Sequence, residues 1–339
     1  MRRGIVWLFP GLLLLAGCAS RSPGLGGAPG GDGGPKGGEG ASVYTSAARI
    51  IVEPSDDASA LVAAISGART SVHMTMYLFD NAAAIAALEA QRRAGHDVKV
   101  VLNQNFVDDD GSNARVRGEL EQAGIDVVWA PSAFTLTHEK CVILDGQEAW
   151  IMTMNLDETS ATKNREYLAV DTEPADVQEA ETIFEADFAG HPAIVSGRLV
   201  VAPVNARAKL IALIEAARST LDVEGEELSD DGIVSALTKA FGAGVHVRVV
   251  LSDAAPSAAQ TNAVTLLTAA GIPVVTVSHP YIHAKAIVVD GMAAYIGSEN
   301  FTAGSLDDNR ELGLLFDDPI EAQKVDTTLL ADFSTGTLK

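Results

Sequence analysis

Two histidines and two lysines recur in matching surroundings along this 339-residue chain. His138, Lys140 and Asp145 occur in T-HEKCVILD-G, and His283, Lys285 and Asp290 in I-HAKAIVVD-G. An asparagine follows each aspartate by ten positions (Asn155, Asn300), and the triplets Asn164-Arg165-Glu166 and Asn309-Arg310-Glu311 follow in turn. Each glutamate stands 28 residues after its histidine. A single H-x-K-x4-D arises by accident on the order of once in a hundred chains of this length. Two copies matched out to the glutamate are not chance. On a strand, positions i and i+2 project from one face, so each His-Lys pair can enter one cleft. Symmetric packing would bring two imidazoles, two ammonium groups and two carboxamides together, a set suited to a phosphodiester. Lys140, Lys285, Asn155 and Asn300 would bind the non-bridging oxygens and stabilise transition-state charge. One histidine would attack phosphorus while the other, protonated, donates to the leaving oxygen. Glu166 downstream of His138, and Glu311 downstream of His283, would each fix the tautomer of its own histidine and raise its pKa.

The elements that must position these residues are themselves duplicated. Arg49-Ile50-Ile51-Val52-Glu53-Pro54 recurs as Arg198-Leu199-Val200-Val201-Ala202-Pro203, an offset of 149. Gly95-His96-Asp97-Val98-Lys99-Val100 recurs as Gly244-Val245-His246-Val247-Arg248-Val249 at the same offset, which falls to 145 at the two histidines. Length changes between matched blocks belong in loops, so one domain has been duplicated. Apolar spacing of three and four predicts helices near 58–68, 82–94, 113–123 and 175–188. Short β-branched runs bounded by Gly or Asp predict strands at 71–78, 98–103, 126–129, 139–144, 148–153 and 166–171. Such alternation predicts an α/β fold, a largely parallel or mixed sheet covered by helices. The expected domains are 44–194 and 195–339, packed about a pseudo-twofold axis with matching edges meeting at the centre and the site between them. The chain is then an internal pseudo-dimer, expected to be a monomer.

The doubled motif resembles the signature of the phospholipase D superfamily, H-x-K-x4-D-x6-G-S-x-N. The second copy matches throughout, ending in Gly297-Ser298-Glu299-Asn300, whereas the first has Met152-Thr153-Met154-Asn155. Thr153 keeps a hydroxyl. Met152 replaces a small residue, so local geometry or substrate access should differ there. The resemblance implies two similar α/β/α domains and a phosphodiester hydrolase or transphosphatidylase that works through phosphohistidine, with no metal and no cofactor. By resemblance His138 is the nucleophile and His283 the acid. It also makes Asp145 and Asp290 loop-shaping residues, with Thr153 and Ser298 structural at the site.

The remaining features bear on location and substrate. Residues 1–17 have Arg2 and Arg3, an apolar core and a closing Leu15-Ala16-Gly17-Cys18, which reads as a cleaved signal. The tetrapeptide resembles a bacterial lipobox, implying lipidation of Cys18. Ala19 and Ser20 resemble an outer-membrane sorting signal. Residues 18–43, mostly Gly, Pro and small polar residues, read as a flexible tether above a membrane. With Cys18 acylated, Cys141 has no partner and reads as an inert buried thiol. Net charge is −21, and 22 basic against 45 acidic residues remain once the two signal arginines are removed. That surface repels nucleic acid, and a nuclease also wants stacking platforms that 5% aromatics hardly supply. A phospholipid substrate, reached through the lipid anchor, is therefore expected, with release of phosphatidic acid. The alternatives are a cardiolipin-synthase-like transferase, a nuclease and a non-catalytic surface lipoprotein. Asp108-Asp109-Asp110-Gly111 lacks the further ligands of an EF-hand and reads as a solvated loop. His73, His96, His191, His246 and His279 have no matched partners and read as structural or exposed. Trp129, Phe134, Leu136, His279, Pro280 and Tyr281 enter the motif strands and could line the mouth of the cleft or pack within loops.

Overall fold

The computed structural model describes residues 43–55, 57–104, 112–157 and 159–339. The signal, Cys18, nearly all of the tether and the triple-aspartate loop lie outside the described residues. Two mixed sheets form the frame. In spatial order the first contains Ala48–Glu53, Asn164–Asp171, Glu148–Met152, Lys140–Leu144, Ser71–Met76, Asp97–Leu102 and Asp126–Trp129. The second runs Thr337–Leu338, Val274–Val277, His246–Ser252, Thr220–Gly225, Lys285–Val289, Ala293–Gly297, Glu311–Phe316 and Val200–Ala202. In each sheet three strands are parallel and joined by crossover helices, while the motif strand opens an antiparallel meander. The expected helices and strands form within a few residues of their predicted limits. Sequence patterning missed the edge strand Ala48–Glu53, which pairs antiparallel with Asn164–Asp171.

Local signals fix the crossovers. Asn81 accepts from the Ala84 amide to cap Ala82–Arg93, and Asp230 accepts from the Ile233 amide to cap Asp231–Gly242. These caps stand 149 residues apart, like the repeated blocks. Outside the first sheet, helices Ser59–Gly67 and Ala82–Arg93 cover Val142, Leu144, Trp150, Met152, Leu168 and Val170. The alternate residues Cys141, Ile143, Ala149, Ile151, Tyr167 and Ala169 turn inward. There they join Ala286, Val288, Ala294, Ile296, Leu312 and Leu314 of the second sheet in one apolar core. Helices Pro174–Phe188 and Pro319–Thr335 fill the same layer. The halves thus meet through sheet faces rather than the expected edges. Strands Lys140–Leu144 and Lys285–Val289 are buried at every residue, so neither of their faces can be left to water.

Ionic contacts fasten this interface symmetrically. Arg165 of the first half grips Asp332 of the second through Nε and Nη2 at 2.6 and 3.2 Å. Arg310 of the second half grips Asp187 of the first at 2.8 and 3.1 Å. The Arg310–Asp187 pair is almost wholly buried, so removing one partner strands the other charge in a low dielectric. Arg310→Ala is expected to cost about 3–5 kcal/mol in urea unfolding. Arg115→Ala, which breaks the exposed pair with Glu119, should stay within about 0.5 kcal/mol of the parent.

Candidate active site

Each H-x-K segment is hydrogen-bonded main chain to main chain with the Asn-Arg-Glu segment of the opposite half. His138 N donates to Arg310 O at 2.9 Å, and His283 N donates to Arg165 O at 3.3 Å. Tyr281–Ile282 even pairs as a short parallel strand with Asn164–Arg165. The consequence is an exchange of carboxylates. His138 Nδ1 lies 2.9 Å from Glu311 Oε2. His283 Nδ1 lies 2.8 Å from Glu166 Oε1, close enough for an ion pair but off the hydrogen-bond direction. The sequence reading assigned each glutamate to the histidine of its own half. The fold crosses them, because the adjacent main chains belong to different halves.

Each glutamate is itself held from its own half. Glu166 accepts from the Thr153 hydroxyl at 2.5 Å and from Asn164 Nδ2 at 3.1 Å. Glu311 accepts from the Ser305 hydroxyl at 2.7 Å and from Asn309 Nδ2 at 3.2 Å. Thr153 therefore supports the carboxylate directly, whereas Ser298 accepts from the Leu312 amide and Ser305 takes over the carboxylate contact. Met152 is fully buried in the outer core of the first half, away from the cleft. At the equivalent Gly297 a Cβ would lie 2.3 Å from the Tyr295 hydroxyl and 2.6 Å from Gly313 Cα. The small residue is thus required by packing in the second half and dispensable in the first.

Asp145 and Asp290 shape the turns behind the motif. Both adopt positive φ, 57° and 54°. Asp145 accepts from the amides of Arg69, Thr70 and Ser71, and Asp290 from those of Arg218, Ser219 and Thr220. The other side chains converge on a cleft of about 690 Å³ lined by both halves, including His138, His283, Asn155 and Asn300. Lys140 and Lys285 have no exposed surface, and each donates to the carbonyl of the histidine two residues earlier, at 2.6 and 2.7 Å. The Oδ1 atoms of Asn155 and Asn300 have no hydrogen-bond partner.

Two residues at the site were missed by pattern. Tyr77 and Glu226 occupy equivalent positions at the 149-residue offset, just after strands Ser71–Met76 and Thr220–Gly225. Tyr77 lays its ring 4.8 Å from Lys140 Nζ and meets the His138 ring edge-on. Glu226 Oε2 lies 2.8 Å from Lys285 Nζ, 3.4 Å from Asn300 Nδ2 and 3.5 Å from His283 Nε2. The repeat offset links the two positions to each other, but neither residue type marks its place as part of the site.

Burial sets the charge states in the first half. It lowers His138 to about 4 despite the opposing pull of Glu311. It also lowers Lys140 to about 7, against the attraction of Glu311. Burial alone would raise Glu311, but His138 and Lys140 hold its carboxyl below the ordinary range. Tyr77 is pushed up to about 12 by burial and by Glu311. Glu226, although half-buried, is held below the usual carboxylate range by Lys285 and His283.

The remaining candidates lie in packing or at the rim. Leu136 lines the cleft, Phe134 stacks under Arg310 with 4.3 Å to its ring centre, and Trp129 stacks under Arg117. Tyr281 donates to Glu226 Oε1 at 2.9 Å. His73 is buried against Glu181 and Phe184, His96 is half-buried against Gln91, and His191, His246 and His279 are exposed. Cys141 is a buried free thiol whose pKa burial pushes well above its ordinary value. Among the described residues, no helix is long and apolar enough to cross a membrane.

The model of the cardiolipin synthase, PLD-like domain family matches residues 61–188 and again 210–333. The chain belongs to the phospholipase D superfamily. Over 116 residues it is 28% identical to the mitochondrial cardiolipin hydrolase of Danio rerio, covering 34% of this chain and 50% of that protein. Over 100 residues it is 36% identical to phospholipase D Z of Dictyostelium discoideum, covering 28% of this chain and 23% of that one. The chain thus spans half or less of the curated relatives it matches. The phosphatidylserine synthase structure from Haemophilus influenzae Rd KW20 shares the fold with a TM-score of 0.66 at 10% identity, over 86% of this chain and 87% of that one. The polyphosphate kinase structure from Porphyromonas gingivalis does so with 0.64 at 20% identity, over 84% of this chain and 46% of that one.

Because burial disfavours the imidazolium, His138 should stay neutral until the pH falls to about 4. Imidazole carbon shifts followed by NMR check this directly, and Glu311→Gln should lower the midpoint further by removing the anion that opposes burial. The unfolded chain takes up this proton near the ordinary value of 6.5. This group's contribution to stability is therefore present above about pH 6.5 and is lost as pH falls toward about 4.

Proposed function

We propose that this chain is a phospholipase D-type phosphodiesterase that hydrolyses the headgroup-side P–O bond of glycerophospholipids to phosphatidic acid. The observation that carries this reading is the pair of imidazoles facing one cleft, each with its Nδ1 beside a buried carboxylate of the opposite half. With Nδ1 on Glu311, His138 keeps its proton there and offers the Nε2 lone pair to phosphorus. Burial keeps that ring neutral, as a nucleophile requires. His283 is the acid. As His138 Nε2 bonds to phosphorus and the P–O bond to the headgroup breaks, His283 Nε2 gives its proton to the departing oxygen. Water then enters: His283 takes its proton, the new O–P bond forms, the N–P bond breaks and His138 is released. Lys140, Lys285, Asn155 and Asn300 bind the non-bridging oxygens and stabilise the developing charge.

A lipid substrate is supported by the names of the relatives, by the acidity of the chain and by the expected anchor at Cys18, which would hold the body at the outer membrane of the cell envelope. If a lipid alcohol replaces water in the second step, the same site performs phosphatidyl transfer. The description of the matched family supports that second reading.

The test incubates the chain with vesicles of phosphatidylcholine or phosphatidylglycerol, and separately with single-stranded DNA. Phosphatidic acid should appear, and His283→Ala should reduce kcat by about 10²–10⁴-fold, with His138→Ala at least as damaging. Cleavage of DNA with both lipids untouched would overturn the lipid reading. As pH rises through about 7, Lys140 loses its proton and with it the attraction for phosphate. The free-enzyme profile of kcat/KM should therefore fall on its alkaline side from about pH 7.

A further inference from the structure

The two halves of the cleft are not equally open to an anion. In the first, Lys140 has a carbonyl and the face of Tyr77 for company. In the second, one carboxylate oxygen of Glu226 stands where the donors of Lys285, Asn300 and His283 converge, at 2.8, 3.4 and 3.5 Å. Two hydrogen-bond donors and an imidazole within ion-pair range, from three motif positions, meet on one oxygen, the arrangement a phosphoryl oxygen would take up. Lys285 is wholly buried, so an incoming anion reaches its ammonium through the position Glu226 now fills. The Tyr281 hydroxyl holds the other carboxylate oxygen at 2.9 Å and steadies the side chain there.

We propose that Glu226 is a resident stand-in for a phosphoryl oxygen, and that a phosphodiester engages the second half of the site only by displacing this carboxylate from Lys285. This rests on reading the cleft as a phosphoryl site. Glu226 acts through Lys285 and the binding step, as a specificity-determining residue. An anion entering the position that Glu226 fills meets a like charge at contact distance, so the exchange weakens every anion that enters. The displaced carboxylate stays beside Glu227 at the cleft wall, which penalises most the substrates carrying charge beyond the phosphodiester itself. Tyr77 carries no charge to displace, so an anion that meets Lys140 faces no such exchange.

The experiment titrates inorganic phosphate into the full chain by calorimetry, comparing wild type, Glu226→Gln, Glu226→Tyr and Glu227→Gln. Glu226→Gln is expected to bind phosphate at least tenfold more tightly than wild type. Glu226→Tyr, which copies the first half, should also gain. Glu227→Gln removes the same charge from the adjacent exposed residue and should gain less than threefold. With phosphate bound to wild type, the crystal structure should show Lys285 Nζ more than 4 Å from both Glu226 oxygens, a measurement that needs no variant to fold. Equal or weaker phosphate binding by Glu226→Gln, or an unbroken Glu226–Lys285 pair in the complex, overturns the proposal and makes Glu226 an anchor for Lys285. If wild type binds phosphate and shows this exchange but cleaves no diester, the proposed function fails while this inference stands. If no form binds phosphate, this inference fails, and the lipid assay decides the proposed function separately.

Discussion

The exchange of charged partners between halves is the constraint on which the rest of the molecule turns. Glu166 and Glu311 are fully buried, as a carboxylate is only when paired and hydrogen-bonded. Each finds its histidine across the interface, and the arginine one residue earlier finds an aspartate there as well. A half standing alone would expose an apolar sheet face and strand several ionic groups without partners. The interface is therefore tied to the site: any shift of one sheet against the other moves both imidazoles and breaks buried pairs. Duplication within a single chain keeps the two faces together and lets each supply what the other lacks.

Duplication also frees the two copies to diverge, and the divergence lies at the site rather than in the frame. The strand orders, the caps at Asn81 and Asp230 and the turn aspartates repeat between the halves. Around the histidines the copies differ. His138 meets the edge of the Tyr77 ring and has Glu311 beside it, whereas His283 lies between two carboxylates, Glu166 and Glu226. Thr153 supports one glutamate and Ser305 the other, from different places in the repeat. Such differences give two chemically identical groups unlike surroundings.

Most of the frame was legible because its signals are local. A short apolar run closed by Asp145-Gly146 marks the strand Lys140–Leu144, and capping residues such as Asn81 and Asp230 mark helix starts. The edge strand Ala48–Glu53 escaped because its identity depends on the partner strand Asn164–Asp171, far away in sequence. Face-to-face packing of the sheets escaped for a related reason: a strand buried on both sides reads the same whether helices or another sheet cover it.

The sequence by itself determined that one domain is present twice, that each copy carries His, Lys, Asn and Glu, and that these suit phosphodiester chemistry. Spacing and residue type are local properties, and duplication repeats them faithfully. Only the tertiary structure decided which glutamate serves which histidine, since the spacing of 28 within each half is the same whether or not the pairs cross. It also decided that Glu226 enters the cleft. An acidic residue after a strand has no distinguishing pattern, and its meaning comes from Lys285, Asn300 and His283, which the fold brings to it from a distant stretch of chain.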